Sequence, residues 1–262
     1  MARRITIPVR SFGSEVGIPA VPELAEWLKE KRGVEADLTT YRLERSLDAQ
    51  EGVAVPAAGG VFYGERLSGA FLGMENGVLV GEPGIEPAAV TEDARFIRTK
   101  CKDAWTALPT PHMLGFRDAC MGDEEEFSET IADLYARLAR EMRDAGVQGH
   151  VLIADEADAI ELEMLAGRKV LFFPRNPETF DLELLLEYQD TLVLPAAALG
   201  RAFDLMERFR VRKLILLDAE GTDLAAAAAE LADPDLFEAG GYCKESCPDY
   251  WKSLVDRAFI SR

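Results

Sequence analysis

Val151-Leu152-Ile153-Ala154, Val170-Leu171-Phe172-Phe173, Thr191-Leu192-Val193-Leu194 and Leu214-Ile215-Leu216-Leu217 punctuate the C-terminal half of the chain. Each is a continuous apolar run rather than an alternation, which is the pattern of a strand buried on both faces. The segments Asp158 to Ala166, Pro177 to Tyr188 and Ala197 to Phe209 between them have helical character, and a further helix is expected from Thr222 to Ala232. Strands and helices in this order build right-handed crossovers. The expected fold class is therefore α/β, with a Rossmann-like, mainly parallel sheet in the C-terminal half.

Upstream of these runs, Asp123-Glu124-Glu125-Glu126 opens an amphipathic helix carrying Phe127, Ile131, Leu134, Leu138 and Met142 at three- and four-residue spacing. Acidic residues in its first turn, arginines toward its end and Gly146 beyond it all suit the helix dipole and C-cap. A boundary near Gly122 divides the chain into an N-terminal α+β portion, residues 1–122, and a parallel α/β domain with a C-terminal tail, residues 123–262. In the first portion a strand is expected over Ile5 to Val9 and a helix from Pro22 to Lys31, ended by Gly33. Eight glycines fall between Gly59 and Gly84. There Asn76-Gly77 separates two apolar segments, the signature of a β-hairpin whose central residues tolerate positive φ. No glycine pattern of a phosphate loop or dinucleotide site accompanies them.

The 262 residues carry 47 acidic against 29 basic side chains, a formal charge of −18. Such a surface repels phosphate backbones and anionic lipid, so neither nucleic acid nor membrane is an expected partner. No apolar stretch follows Met1-Ala2-Arg3-Arg4 and no run approaches a membrane span, so the expected location is the cytoplasm.

Ligands of open parallel sheets bind beyond the carboxyl ends of the strands. That rule selects Asp155, Glu156 and Asp158, then Arg175 and Asn176, Pro195, and finally Asp218, Glu220, Thr222 and Asp223. Asp155, Asp218 and Glu220 are candidate acid–base or metal-binding groups, Arg175 is a candidate anion clamp, and Asn176 and Thr222 are candidate ligand contacts. Asn176, Thr222 and Asp158 are also well placed as helix caps. Of the two histidines, His150 begins a strand at the wrong end of the sheet, leaving His112 as the better acid–base candidate.

Leu217-Asp218-Ala219-Glu220-Gly221-Thr222 resembles the first motif of the haloacid-dehalogenase-like phosphatases, which implies a nucleophilic Asp218. That family sets this motif at the first strand and follows it with further catalytic motifs, whereas forty residues remain here.

Cys243 and Cys247 stand four residues apart and would share a helical face. With Cys101 and Cys120 they could form a metal or cluster site if the fold gathered them, or the close pair could form a reversible disulfide. The leading expectation is a small-molecule site for an anionic ligand, with group-transfer or hydrolytic chemistry at the strand carboxyl edge and no cofactor specified by any motif. A non-catalytic interaction subunit and a cysteine-ligated metal or redox protein are the two other classes.

Overall fold

The computed structural model describes residues 4–31, 37–231, 233–244 and 247–261. The four apolar runs are parallel strands, as their burial pattern requires, and the parallel order continues into the N-terminal part of the chain. In sequence the strands are β1 (Val9–Ser14), β2 (Ala57–Gly59), β3 (Trp105–Pro109), β4 (His150–Ala154), β5 (Val170–Pro174), β6 (Thr191–Pro195), β7 (Lys213–Leu217) and β8 (Phe237–Cys243). They form two four-stranded sheets, β2-β3-β4-β5 and β6-β7-β8-β1, in which every pairing is parallel. Strands on both sides of residue 122 thus share a sheet, through β3 and β4.

A parallel bridge between Arg10 and Val55 joins the two sheets. Ser11 N–H donates to the Val55 carbonyl at 2.9 Å, and Val55 N–H to the Val9 carbonyl at 3.1 Å. With β5 lying beside β6 at the other junction and one interior core drawn from both sheets, the described strands form an eight-strand (β/α)8-type barrel. Ten α-helices are described: α1 (Val21–Glu30), α2 (Leu38–Asp48), α3 (Gly64–Ser68), α4 (Ala88–Lys100), α5 (Glu124–Ala145), α6 (Ala159–Leu165), α7 (Leu182–Tyr188), α8 (Leu199–Arg208), α9 (Gly221–Leu231) and α10 (Cys247–Arg257). None is long and apolar enough to cross a membrane.

The two buried faces of each strand serve two cores. Val151, Ile153, Leu171, Phe173, Val193 and Ile215 join Phe12, Ala57 and Ala107 inside the barrel. Their neighbours Leu152, Phe172, Leu192, Leu194, Leu214 and Leu216 belong to the outer core with the helices. Side chains alternate along a strand, so a continuous apolar run fills both spaces. At the centre, the Phe12 and Phe173 rings stack with centroids 4.5 Å apart. Gly240 of β8 makes room for them: a Cβ there would lie 2.7 Å from Phe12 and 2.6 Å from Ile215.

The strand expected over Ile5 to Val9 is interrupted at Pro8, which has no N–H to donate. Arg4–Thr6 instead pairs antiparallel with Phe259–Ser261, while β1 begins at Val9. The expected first helix is α1, and Gly33, the residue expected to end it, lies outside the described residues. Ala232, expected at the end of α9, also lies outside them. The hairpin is present, Phe71–Glu75 against Val78–Ile85, with Asn76 and Gly77 at φ of 51° and 76°. The helix expected from Pro177 is shorter. Asn176 to Phe180 form a turn, and α7 starts only after Asp181, whose side chain caps Glu183 and Leu184 N–H.

Among the described residues no ladder joins β5 to β6. The side-chain amide of Gln189 spans this seam instead. It accepts from Phe172 N–H at 2.7 Å and donates to the Phe172 and Thr191 carbonyls at 3.3 and 2.7 Å. We expect Gln189→Ala to cost about 1–3 kcal/mol by stranding those backbone groups. Gly240→Ala should cost a similar amount, about 1–3 kcal/mol, by overpacking the barrel centre. Urea denaturation midpoints check both, and an unchanged midpoint would remove the corresponding role.

Candidate functional site

Because all eight described barrel strands point the same way, their carboxyl ends make one rim, and that rim is where barrels of this architecture carry ligand chemistry. Asp155 and Arg175 follow β4 and β5 and meet there: Arg175 Nη1 lies 3.1 Å from Asp155 Oδ1, with both side chains about half exposed. Such a guanidinium retains donors for a second partner.

Across the rim, Glu15 follows β1 and is tied to two other strand ends. Its Oε1 accepts from Val61 N–H at 2.8 Å and from the Tyr242 hydroxyl of β8. Burial first, and then the Glu15 carboxylate, push the Tyr242 phenol well above its ordinary range, while the charge of Arg175 acts in the opposite sense. Arg175 and the Glu15–Tyr242 pair are thus electrostatically coupled. The Tyr242 ring also reaches into the barrel, 5.5 Å from Phe173.

Asp218 follows β7 with a left-handed φ of 54°, a conformation Asp tolerates better than most residues. Its N–H donates to the Gly240 carbonyl at 2.9 Å, continuing the β7–β8 pairing, and Oδ1 accepts from Tyr250 OH of α10 at 2.5 Å. Burial and then this carboxylate raise the Tyr250 phenol. Asp218 stands after the seventh barrel strand, not at a first strand as the phosphatase-like motif requires.

Other expected site residues are used elsewhere. Glu220 is bound by Arg257 of α10 at 2.5 Å and lines a surface hollow with Asp249 and Lys252. Asn176 organises the turn before α7, its carbonyl accepting from Thr179 and Phe180 N–H at 3.2 Å. Thr222 lies exposed in the first turn of α9, where the local cap is made by Asp223, which accepts Glu220 N–H at 2.9 Å. Asp158 caps α6 through Glu161 N–H at 2.8 Å.

His112 is fastened to α6. Glu161 accepts its backbone N–H at 2.6 Å and lies 3.0 Å from Nδ1. Its Nε2 is buried and has no partner among the described residues. In this arrangement the Nδ1 side of the ring latches the segment after β3 to α6. Burial alone would lower its pKa, but the Glu161 hydrogen bond and charge outweigh this and raise it above 6.5. His150 is a satisfied core residue between Thr106 and the Ala139 carbonyl, held neutral by burial with a pKa of about 3.

The four cysteines are not gathered. Cys243 at the end of β8 and Cys247 at the start of α10 form a disulfide. Cys101 ends α4, and Cys120 contacts the Gly81 carbonyl beside the hairpin. Among the described residues, no group of three or more His, Cys, Asp or Glu side chains converges to hold a metal ion.

No family model and no curated protein matches the chain. Solved structures do. A Listeria monocytogenes protein solved under the name vitamin-B12-independent methionine synthase aligns with 96% of this chain and 94% of its own, with a TM-score of 0.53 and 12% identity. A B12-independent methionine synthase from Shewanella sp. W3-18-1, in complex with selenomethionine, aligns over 97% of both chains with a TM-score of 0.58 and 13% identity. At this identity the likeness establishes a shared α/β fold along nearly the whole chain.

Sequence reasoning placed Asp155, Arg175 and Asp218 at this end of the strands but not Glu15 or Tyr242. The same strand-end rule selects Glu15 once Val9–Ser14 is the strand; with the strand set at Ile5–Val9, Glu15 stood too far downstream.

Two outcomes follow from this geometry. Thiol titration of the unfolded chain should count two groups without reductant, Cys101 and Cys120, and four after reduction; four from the start would remove the disulfide. The raised His112 pKa also predicts a pH-dependent latch. Its stabilisation is fully present below the ordinary value of 6.5 and is lost as the pH rises through the higher folded value. In denaturation curves, the advantage of the wild type over His112→Gln should shrink as the pH rises above 6.5 and through the raised folded value. A constant gap would show that His112 is not a folded-state cation.

Proposed function

We propose that the carboxyl rim of the barrel binds a small molecule of the amino-acid class, with its carboxylate on Arg175 and its ammonium among Asp155, Glu15 and Asp218. The carrying observation is the half-exposed Arg175–Asp155 pair at 3.1 Å, a cation and an anion side by side at the end where this fold takes its ligands. A zwitterion complements both signs at once, whereas a simple anion would meet the neighbouring carboxylates unfavourably. The Shewanella neighbour, which carries selenomethionine in its complex, supports the same class of ligand.

Tyr242 and Tyr250 supply hydroxyls bound to Glu15 and Asp218, so these carboxylates are oriented before a ligand arrives. In a group-transfer or hydrolytic reaction Asp155 and Asp218 are the proton-exchanging groups of this reading. Glu220 is left out because Arg257 occupies it.

Calorimetry with a panel of amino acids, L-methionine first, tests the assignment. Arg175→Ala is expected to weaken binding by about 1.5–3 kcal/mol, or roughly ten- to a hundredfold, through loss of a charge-assisted contact while folding is retained. No heat with any α-amino acid, or unchanged affinity in Arg175→Ala, would overturn it.

A further inference from the structure

The opposite, amino-terminal mouth of the barrel has its own cavity, of about 560 Å³, comparable to small-ligand sites. It opens where the β5–β6 ladder is missing, so the two strands part and the hollow penetrates to Leu171 and Ile215, both residues of the barrel interior. Leu186 and Trp105 add apolar and aromatic wall. Further in, Arg10 lies with its guanidinium 5.2 Å from the Trp105 ring centroid and its Nε 2.9 Å from Glu238, which also lies 3.3 Å from Lys213. Arg10 is the member of this charge cluster that lines the cavity, and Glu238 holds it in place.

At the cavity's edge stand Arg168 and Arg210, both exposed and without an ion pair among the described residues; Glu187 and Asp190 line the cavity too, Asp190 being paired with Arg212 at 3.0 Å. They belong to a wider cationic face. A second hollow at this end, reached at Lys169, has Arg98, Lys102, Arg143 and Lys169 against the single carboxylate Asp103 among its lining residues. In a chain of net charge −18, positive side chains gathered at one end are a local departure from the overall field, and they favour anions there. Part of this basic character complements helix C-termini, which lie at this end of every βα unit. Arg168 and Arg210, however, sit in the loops beyond α6 and α8 rather than in the helices.

We infer that the amino-terminal mouth is a second ligand site, one that takes an organic anion with an apolar, ring-sized body. The body lies in the seam against Trp105, Leu171 and Ile215, and the anionic group is held at the edge by Arg168 and Arg210. The site is separate from the carboxyl rim, because the five-residue strands β5 and β7 and the filled interior lie between them. It does not depend on the amino-acid reading of that rim.

The probe is 1-anilinonaphthalene-8-sulfonate, an aromatic monoanion whose emission rises in apolar surroundings and which accepts energy from tryptophan. Titrated into the folded full chain, it is expected to show one saturable class of sites and to raise the melting temperature. Trp105→Phe should remove most of the energy transfer, since Trp105 lines the cavity. Arg168→Glu combined with Arg210→Glu, both at exposed positions, should weaken affinity by about tenfold or more, while Arg175→Ala leaves it unchanged. A lowered melting temperature, affinity indifferent to the Arg168/Arg210 reversal, or energy transfer indifferent to Trp105→Phe would each overturn the site. Loss of affinity in Arg175→Ala would assign the probe to the carboxyl rim instead and overturn it equally.

Discussion

Closure of the barrel rests on β1, which pairs with β8 on one side and bridges to β2 on the other. Parallel strands leave polar edges that must be paired or covered, and a ring removes them. β1 is the element that turns two four-stranded sheets into one ring. It also delivers Phe12 to the centre, where the ring stacks on Phe173 from the far sheet, and it delivers Glu15 to the carboxyl rim. One strand therefore sets the joint, the filling and part of the candidate site. The terminal ribbon of Arg4–Thr6 with Phe259–Ser261 anchors the segment just before it.

The ring is not uniform. At β5 and β6 the backbone ladder is absent and Gln189 substitutes an amide side chain for it. A side chain can satisfy a few backbone groups but cannot draw two strands to ladder spacing along their length. The amino-terminal cavity is the spatial consequence of that substitution. The two ends of the barrel differ in chemistry: the carboxyl rim carries Glu15, Asp155 and Asp218 with Arg175 among them, and the other end carries the Arg10–Glu238–Lys213 cluster and a cavity edge with Arg168 and Arg210.

The candidate rim was legible where a strand was legible. Asp155, Arg175 and Asp218 each directly follow a continuous apolar run, so recognising the run located the residue and its end of the sheet. Glu15 and Tyr242 follow or occupy strands without such a signal, since β1 and β8 contain Ser11, Gly13, Gly240 and Gly241 in place of bulky apolar residues. Those small residues are there because the interior is crowded at that point. Side-chain commitments were not legible either. Nothing local distinguishes Glu220, bound by Arg257, from Asp155, bound by Arg175, and the two differ only through which element folds over them.

By itself the sequence determined the parallel α/β character, the Asn76-Gly77 hairpin and the long helix capped by Asp123, because each depends on periodicity or turn chemistry within a few neighbouring residues. A run buried on both faces does not say what buries it. Helices on each side, or helices outside and other strands across a ring, leave the same apolar pattern. Only the tertiary structure decided in favour of the ring, the seam at Gln189 and the separation of Cys101 and Cys120 from the Cys243–Cys247 disulfide, since all three depend on how distant parts of the chain are placed.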